Sequence, residues 1–268
     1  MRGRREEMCF MGLWTPEHAK TLLPAIALMI LLGVVLRKCL GASKDQTRMI
    51  PLQILACVLV LLEIGKQVVS LSRGYDLYHL PFHICSLFIF LLPIMAFYRG
   101  RYRKQINAIT TAFCASVFLL MLIYPNLIYS AWNIQHFFTD YLSFHTVAFH
   151  NIVIFSFVLI LALQLHRWEK NTRKAIVGFT VCFCLVSSVM AQVLKTNYAN
   201  FYTCNIPVFE NLRLMVREIL GGIVTQILYI LIVSTLTILF VLMSYGFFRM
   251  TQWILFRNKK EERQNSNV

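Results

Sequence analysis

The stretch Leu80–Tyr98, LPFHICSLFIFLLPIMAFY, decides the fold. It is apolar almost without interruption, and it does not alternate as a half-buried strand would. A helix needs about 20 mostly apolar residues to cross a hydrocarbon core. Only helices and closed barrels satisfy their backbone in lipid, and a run without alternation excludes the barrel. Its polar groups, His83, Cys85 and Ser86, are crowded at one end. That asymmetry places chemistry at one face of a membrane.

Reading outward, seven segments have this character: 18–36, 50–72, 80–98, 106–124, 142–165, 175–195 and 219–245. The expectation is an all-α polytopic membrane protein, a seven-transmembrane helix bundle over 18–248. An N-terminal segment, 1–17, precedes it and a basic tail, 249–268, follows, polar and disordered after Arg257. Thr15-Pro16-Glu17 is a helix start, with threonine as cap and proline in the first turn. Pro125-Asn126 stops the fourth helix, and Gly221-Gly222 falls in the first turn of the seventh. The first apolar stretch runs into Arg37-Lys38-Cys39 with no small-residue cleavage site, so it reads as an uncleaved helix rather than a signal peptide.

Composition agrees. Of 268 residues, 58% are hydrophobic and 14% charged, against about 25% charged in a soluble domain. The net charge of +14 does not call for nucleic acid, because the basic residues sit in short turns between apolar runs. There they set topology and meet anionic lipid head groups. The eight cysteines lie mostly inside apolar runs without a CxxC pair, so all but Cys85 read as small hydrophobes. No cofactor and no metal are expected.

Lysine and arginine are divided unequally. One side carries seven: Arg2, Arg4, Arg5, Arg73, Lys195, Arg213 and Arg217. The other carries seventeen, clustered at 37–48, 99–104, 167–174 and 249–263. The positive-inside rule then puts the N-terminus outside and the C-terminus in the cytoplasm of a multi-pass cell-membrane protein. In that topology Cys85 lies about 7 Å below the outer surface at 1.5 Å per residue. Glu63, Lys66, His83, His145, His150, Asn126, Asn197 and Tyr198 belong to the same outer layer.

Each group has a plain reading. Glu63 and Lys66 are three apart and can neutralise one another, although charges within a membrane mark functional sites. His79, His136 and His166 read as loop or interface residues. His145 and His150 are five apart, about 140° around a helix, so one faces the reacting group and the other a neighbour. Cys85 and His83 also diverge, so a thiol–imidazole pair must cross from the third helix to the fifth.

The order Leu-Pro-Phe-His-Ile-Cys-Ser-Leu (80–87), Tyr-Pro-Asn (124–126), Phe-His (144–145), Phe-His-Asn (149–151) and Thr-Asn-Tyr (196–198) resembles the YwaF-like family of bacterial integral membrane proteins. The resemblance covers roughly residues 45–245. That family looks related to a eukaryotic transmembrane acyltransferase that remodels ether phospholipids through an essential cysteine. The resemblance implies that Cys85 is the nucleophile and His150 the fifth-helix histidine. Two departures stand out: Phe149 where many members have Tyr or Ser, and Lys195 where Gly is usual.

The chemistry has its own footing. A thiol needs a base to become a nucleophile near neutrality, and an imidazole within reach can accept the proton. Cys85 would attack an acyl ester of a membrane phospholipid, with Asn197, Tyr198 or Asn126 donating to the oxyanion and His145 or His83 orienting the base or a phosphate. Two alternatives stay open. One is a receptor or transporter binding a small ligand in the outer cavity, though not a retinal protein, since 219–245 holds no lysine. The other is a metal protein using His83, Cys85, His145 and His150.

Overall fold

The computed structural model describes residues 14–127 and 129–256. Among them the regular structure is helical: α1 (Pro16–Leu40), α2 (Asp45–Ser72), α3 (Phe88–Phe97), α4 (Arg103–Ile123), α5 (Ala131–Gln135), α6 (Tyr141–Ala162), α7 (Arg173–Leu194), α8 (Pro207–Leu220) and α9 (Gly222–Phe256). Six of these, α1, α2, α4, α6, α7 (counted from Lys170) and α9, are long and apolar enough to cross a membrane. The basic N-terminal residues Arg2, Arg4 and Arg5 and the tail from 257 lie outside the described residues.

Helix α4 is the axis of the bundle. Its middle is buried residue after residue from Asn107 to Val117, and it packs against α3, α6, α7 and α9. Around it α1 and α9 keep long apolar faces outward, with Leu31, Ile223 and Leu231 among their exposed residues. An outward apolar surface of this extent is what a lipid solvent requires and water does not permit. Several hydroxyls inside the bundle bond to the backbone of their own helices. Ser116 donates to Ala112 O at 2.9 Å and Thr180 to Ile176 O at 2.8 Å.

Thr15 caps α1, and Pro16 occupies its first turn. Helix α4 ends at Ile123, before the Pro125–Leu127 turn. Two expectations are corrected. The stretch 80–98 is not one helix: the α-helix begins only at Phe88, after a 3₁₀ turn over Cys85–Leu87. Pro81 lacks an amide proton and disfavours helix in the residue before it. Residues 219–220 close α8 instead of opening the last helix. The joint is Gly221, whose φ of +79° suits glycine. No sequence motif announced α8, an amphipathic helix with no buried residue.

Asp140 starts α6. It accepts from Ser143 N at 2.9 Å and from Arg73 Nη1 at 2.9 Å. Burial pushes its carboxyl up, but the Ser143 amide and the Arg73 guanidinium outweigh that and hold it below its ordinary 3.8. Asp140→Ala should therefore lower stability by about 1 kcal/mol at neutral pH. A carboxyl depressed on folding stabilises above its unfolded pKa, and the benefit is lost as pH falls through the folded value. Thermal unfolding of the two proteins should converge in acid, and a constant gap down to pH 2 would refute the assignment.

Candidate functional site

The site grows from the interrupted backbone between α2 and α3. Asp76 accepts from Tyr78 N at 2.9 Å and starts a single 3₁₀ turn, Leu77–His79. From Leu80 to Ile84 the chain belongs to no helix, so its carbonyls need partners from elsewhere. A neighbouring helix supplies one for Phe82, and the carbonyls of the 3₁₀ turn before it are held in the same way. Tyr198 Oη donates to Leu77 O at 2.5 Å, Gln67 Nε2 to His79 O at 3.1 Å and Ser187 Oγ to Phe82 O at 3.0 Å. At its far end Gln53 Nε2 donates to Ala96 O at 3.2 Å. The segment thus runs along α2 from the level of Gln67 to that of Gln53.

The turn after α7 closes over the break. Tyr198 is fully buried, and its ring meets Phe82 at 5.2 Å and His83 at 5.4 Å between centroids. His83 Nδ1 accepts from Ala199 N at 3.4 Å, while Nε2 is buried with no hydrogen-bond partner. Lys195, Ala199 and Asn200 take left-handed backbone, with φ of 51°, 47° and 64°. Three such residues within six positions are costly for side chains with a Cβ. The lysine at 195 therefore occupies a conformation that favours glycine. Asn197 spends its amide inside this turn: Oδ1 accepts from Tyr202 N and Thr203 N, and Nδ2 donates to Asn205 Oδ1.

A charged cluster lies beside the break. Glu63 pairs with Lys66 Nζ at 2.6 Å and with His145 Nε2 at 3.2 Å, and accepts from Gln67 Nε2 at 2.8 Å. Gln67 in turn accepts from Tyr75 Oη at 2.9 Å, and Ser70 Oγ meets His79 Nδ1 at 2.6 Å. Glu63, Lys66 and His145 are each less than a tenth exposed. The cluster ties α2 to α6, where Gly65 also leaves room for the Tyr141 hydroxyl to reach Leu62 O.

His150 faces elsewhere, as five residues of separation require. Its Nδ1 donates to Thr146 O at 2.6 Å, which leaves Nε2 as the acceptor nitrogen. Its ring stands edge-on to Tyr129 at 5.9 Å. Tyr129 is 2% exposed and its hydroxyl has no hydrogen-bond partner. The same phenol lies within electrostatic reach of Cys85. Among the described residues no hydrogen bond joins the Cys85 thiol to an imidazole. Helix α3 packs chiefly on α2 and α4, and α6 on α1, α2 and α4; Tyr78 is likewise within electrostatic reach of Cys85, and Tyr129 is the one whose ring meets His150. Asn126 is exposed on the Pro125–Leu127 turn.

The structure thus gathers His83 with Tyr198, Glu63 with Lys66 and His145, and His150 with Tyr129. It commits Asn197 and Tyr198 to holding backbone. Among the described residues no group of three or more His, Cys, Asp or Glu side chains is arranged to hold a metal. Tyr129, Gln67 and Ser187 were missed by sequence reasoning. Nothing in their spacing marks them, since each matters through a contact with a distant segment.

A family model supplies the relation: the one for the TMEM164 family matches residues 13–246. The chain belongs to the TMEM164 family. It is a family of transmembrane proteins, in keeping with the long apolar helices. No curated protein and no solved structure matches the chain.

Two outcomes test these contacts. Glu63→Leu leaves Lys66 and His145 without their counter-charge and should cost about 3–5 kcal/mol. The double substitution Glu63→Leu/Lys66→Leu should recover much of that in thermal unfolding. A double variant no better than the single one would show that the pair is not the source. Lys195→Gly should raise stability by about 1 kcal/mol by relieving the left-handed backbone, and a lowered midpoint would contradict that reading.

Proposed function

We propose that the chain is an integral membrane enzyme that transfers or hydrolyses acyl groups of membrane phospholipids, with Cys85 as nucleophile and His150 as base. One observation carries the reading. The long apolar stretch carries Cys85 at the head of a 3₁₀ turn rather than in an α-helix, and three neighbouring side chains hold the carbonyls of Leu77, His79 and Phe82 just before it. Irregular backbone at membrane depth is tolerated where it is buried in protein or lines a cavity, and it brings functional groups with it. The likeness of the His-Ile-Cys-Ser and Thr-Asn-Tyr motifs to the YwaF-like family, and through it to a cysteine-dependent phospholipid acyltransferase, supports the same residue.

The reading includes the topology. The third apolar stretch is a seventh, broken crossing beside α2, with the N-terminus outside, the C-terminus cytoplasmic and the protein in the cell membrane. A reporter fused at the C-terminus should be active only in the cytoplasm, and one inserted near Asn133 only outside. A cytoplasmic signal at Asn133 would move the site to the inner leaflet.

The reaction runs in two halves. The Cys85 thiol gives its proton towards His150 Nε2, relayed by the Tyr129 hydroxyl, as sulfur bonds to the acyl carbonyl carbon. The ester C–O bond breaks, and the lysophospholipid oxygen leaves with the proton returned by the imidazole. The acyl-thioester is then attacked by the hydroxyl of a second lipid, or by water, with His150 again taking the proton; the C–S bond breaks, and the Cys85 sulfur leaves with that proton returned to it. The carbonyl oxygen needs a donor during both attacks, and the unpartnered His83 Nε2 is the buried group placed beside Cys85 in the chain. Glu63, Lys66 and His145 hold α2 and α6 in place and take no part in proton transfer.

An acyl-fluorophosphonate or lipid-like electrophile should label Cys85 far faster than Cys57, Cys114, Cys182 or Cys184, and Cys85→Ser should abolish labelling and lipid turnover in a folded protein. His150→Ala should slow acylation by about 10²–10⁴-fold, the usual contribution of a positioned base. Tyr129→Phe should slow it as well, while His145→Ala acts mainly on stability. Equal labelling of all the cysteines would return the outer cavity to the ligand-binding reading.

A further inference from the structure

Helix α8 and the start of α9 form a second site that the acyl chemistry does not use. Glu210 takes Arg213 in two hydrogen bonds, Nε to Oε2 at 2.8 Å and Nη2 to Oε1 at 2.5 Å. Arg213 Nη1 donates to Gln226 Oε1 at 2.9 Å, and Glu210 also accepts from Cys204 N at 2.8 Å. The Arg213 charge is therefore paired with Glu210, and each of its three nitrogens already donates a hydrogen bond. Arg217, one turn further on, has an exposed guanidinium with no ion pair or side-chain hydrogen bond among the described residues.

Arg217 lines a cleft of about 650 Å³ between α7, α8 and α9. Tyr202 and Thr203 share its polar wall, and Ile223, Ile227 and Ile230 form its apolar wall. That apolar wall is open: Ile223 is 80% and Ile227 56% exposed, continuous with exposed Leu231 further along α9. One uncompensated guanidinium and two hydroxyls thus stand above an apolar strip that faces lipid. A guanidinium matches a phosphate with paired hydrogen bonds, and the strip suits an acyl chain. A free phosphate would leave the strip unused. A neutral lipid would leave the guanidinium without its anion.

We propose that this cleft binds a membrane phospholipid, its headgroup phosphate on Arg217 and an acyl chain along Ile223, Ile227 and Ile230. The site is separate from Cys85 and does not depend on acyl transfer there. The amphipathic α8, with Val208, Leu212, Met215 and Ile219 exposed, lies along the membrane interface and presents the arginine at headgroup level.

The test uses the full chain purified in a neutral maltoside detergent, with dioctanoyl phosphatidylglycerol as probe and binding followed by calorimetry. Dioctanoylglycerol and inorganic phosphate are the comparators. The phospholipid should bind at least about tenfold more tightly than either comparator. Arg217→Gln should weaken it by about tenfold or more, as expected for a lost charge-assisted contact, and Arg217→Lys by less. Ile227→Trp, which fills the cleft without touching the charge, should also weaken it. Unchanged affinity in Arg217→Gln overturns the proposal. So does equal binding of dioctanoylglycerol, which would mark an apolar crevice, or of inorganic phosphate, which would mark a bare anion site. Arg217 is on the surface, so a thermal unfolding midpoint equal to the parent's confirms that the variant is folded. Labelling of Cys85 in the same preparation keeps this result distinct from the acyl-transfer reading: either can fail while the other stands.

Discussion

The structure turns on how it satisfies a stretch of backbone that has no helix around it. In lipid an unpaired carbonyl costs several kcal/mol, and between Leu77 and Phe82 the chain makes only a single 3₁₀ turn before it leaves helix altogether. Three side chains take the load: Tyr198 and Ser187 from the α7 side, Gln67 from α2. The broken segment is clasped from both flanks. This explains why Tyr198, fully buried with its single proton given to Leu77 O, is unavailable to a reacting group. It also explains the left-handed turn beyond α7. That turn must double back sharply to seat Tyr198 and Ala199 over His83, and Lys195 accepts glycine-like backbone to begin it.

The Glu63 cluster obeys the same constraint in charged form. A carboxylate at that depth would be expelled or protonated on its own, yet Glu63 holds Lys66, Gln67 and His145 around it. The residues are mutually dependent. Removing one strands the others, whereas removing the opposed charges together removes the problem. Because His145 belongs to α6 and the rest to α2, the cluster fixes the spacing of those helices. Through Gln67 it also reaches the His79 carbonyl. The charged cluster and the broken backbone are therefore one connected network, with Gln67 as the shared member.

Much of this was legible in the sequence, and the limits have physical causes. Continuous apolar runs announced the long helices, and Thr15-Pro16 and Pro125 marked ends that the structure keeps, because caps and proline act within a turn of themselves. The 140° separation of His145 and His150 correctly sent them to different neighbours. The 80–98 stretch misled because hydrophobicity reports burial, not hydrogen bonding. A run clasped by side chains looks as apolar as a helix. Helix α8 was invisible to a search for uniformly apolar segments, since its residues alternate between lipid and polar faces. Asn197 shows a related limit: its type suggested a donor to a ligand, and the turn takes its carbonyl oxygen and one of its two N–H groups.

The same reasoning bears on the reacting groups. Motif spacing could place Cys85 and His150 at similar depth, yet it could not say what stands between their helices. The packing order separates α3 from α6 by α2 and α4. Under the proposed acyl transfer the proton would pass by way of Tyr129, in the segment after α4. Tyr129 is anchored there by its own backbone, its amide bonded to Pro125 O and its carbonyl to His18 Nε2. Its hydroxyl remains buried and unpaired. A buried phenol without a partner costs on the order of 1–3 kcal/mol, a loss that packing alone would avoid with phenylalanine. In the proposed acyl transfer that hydroxyl has a use, as the relay between Cys85 and His150.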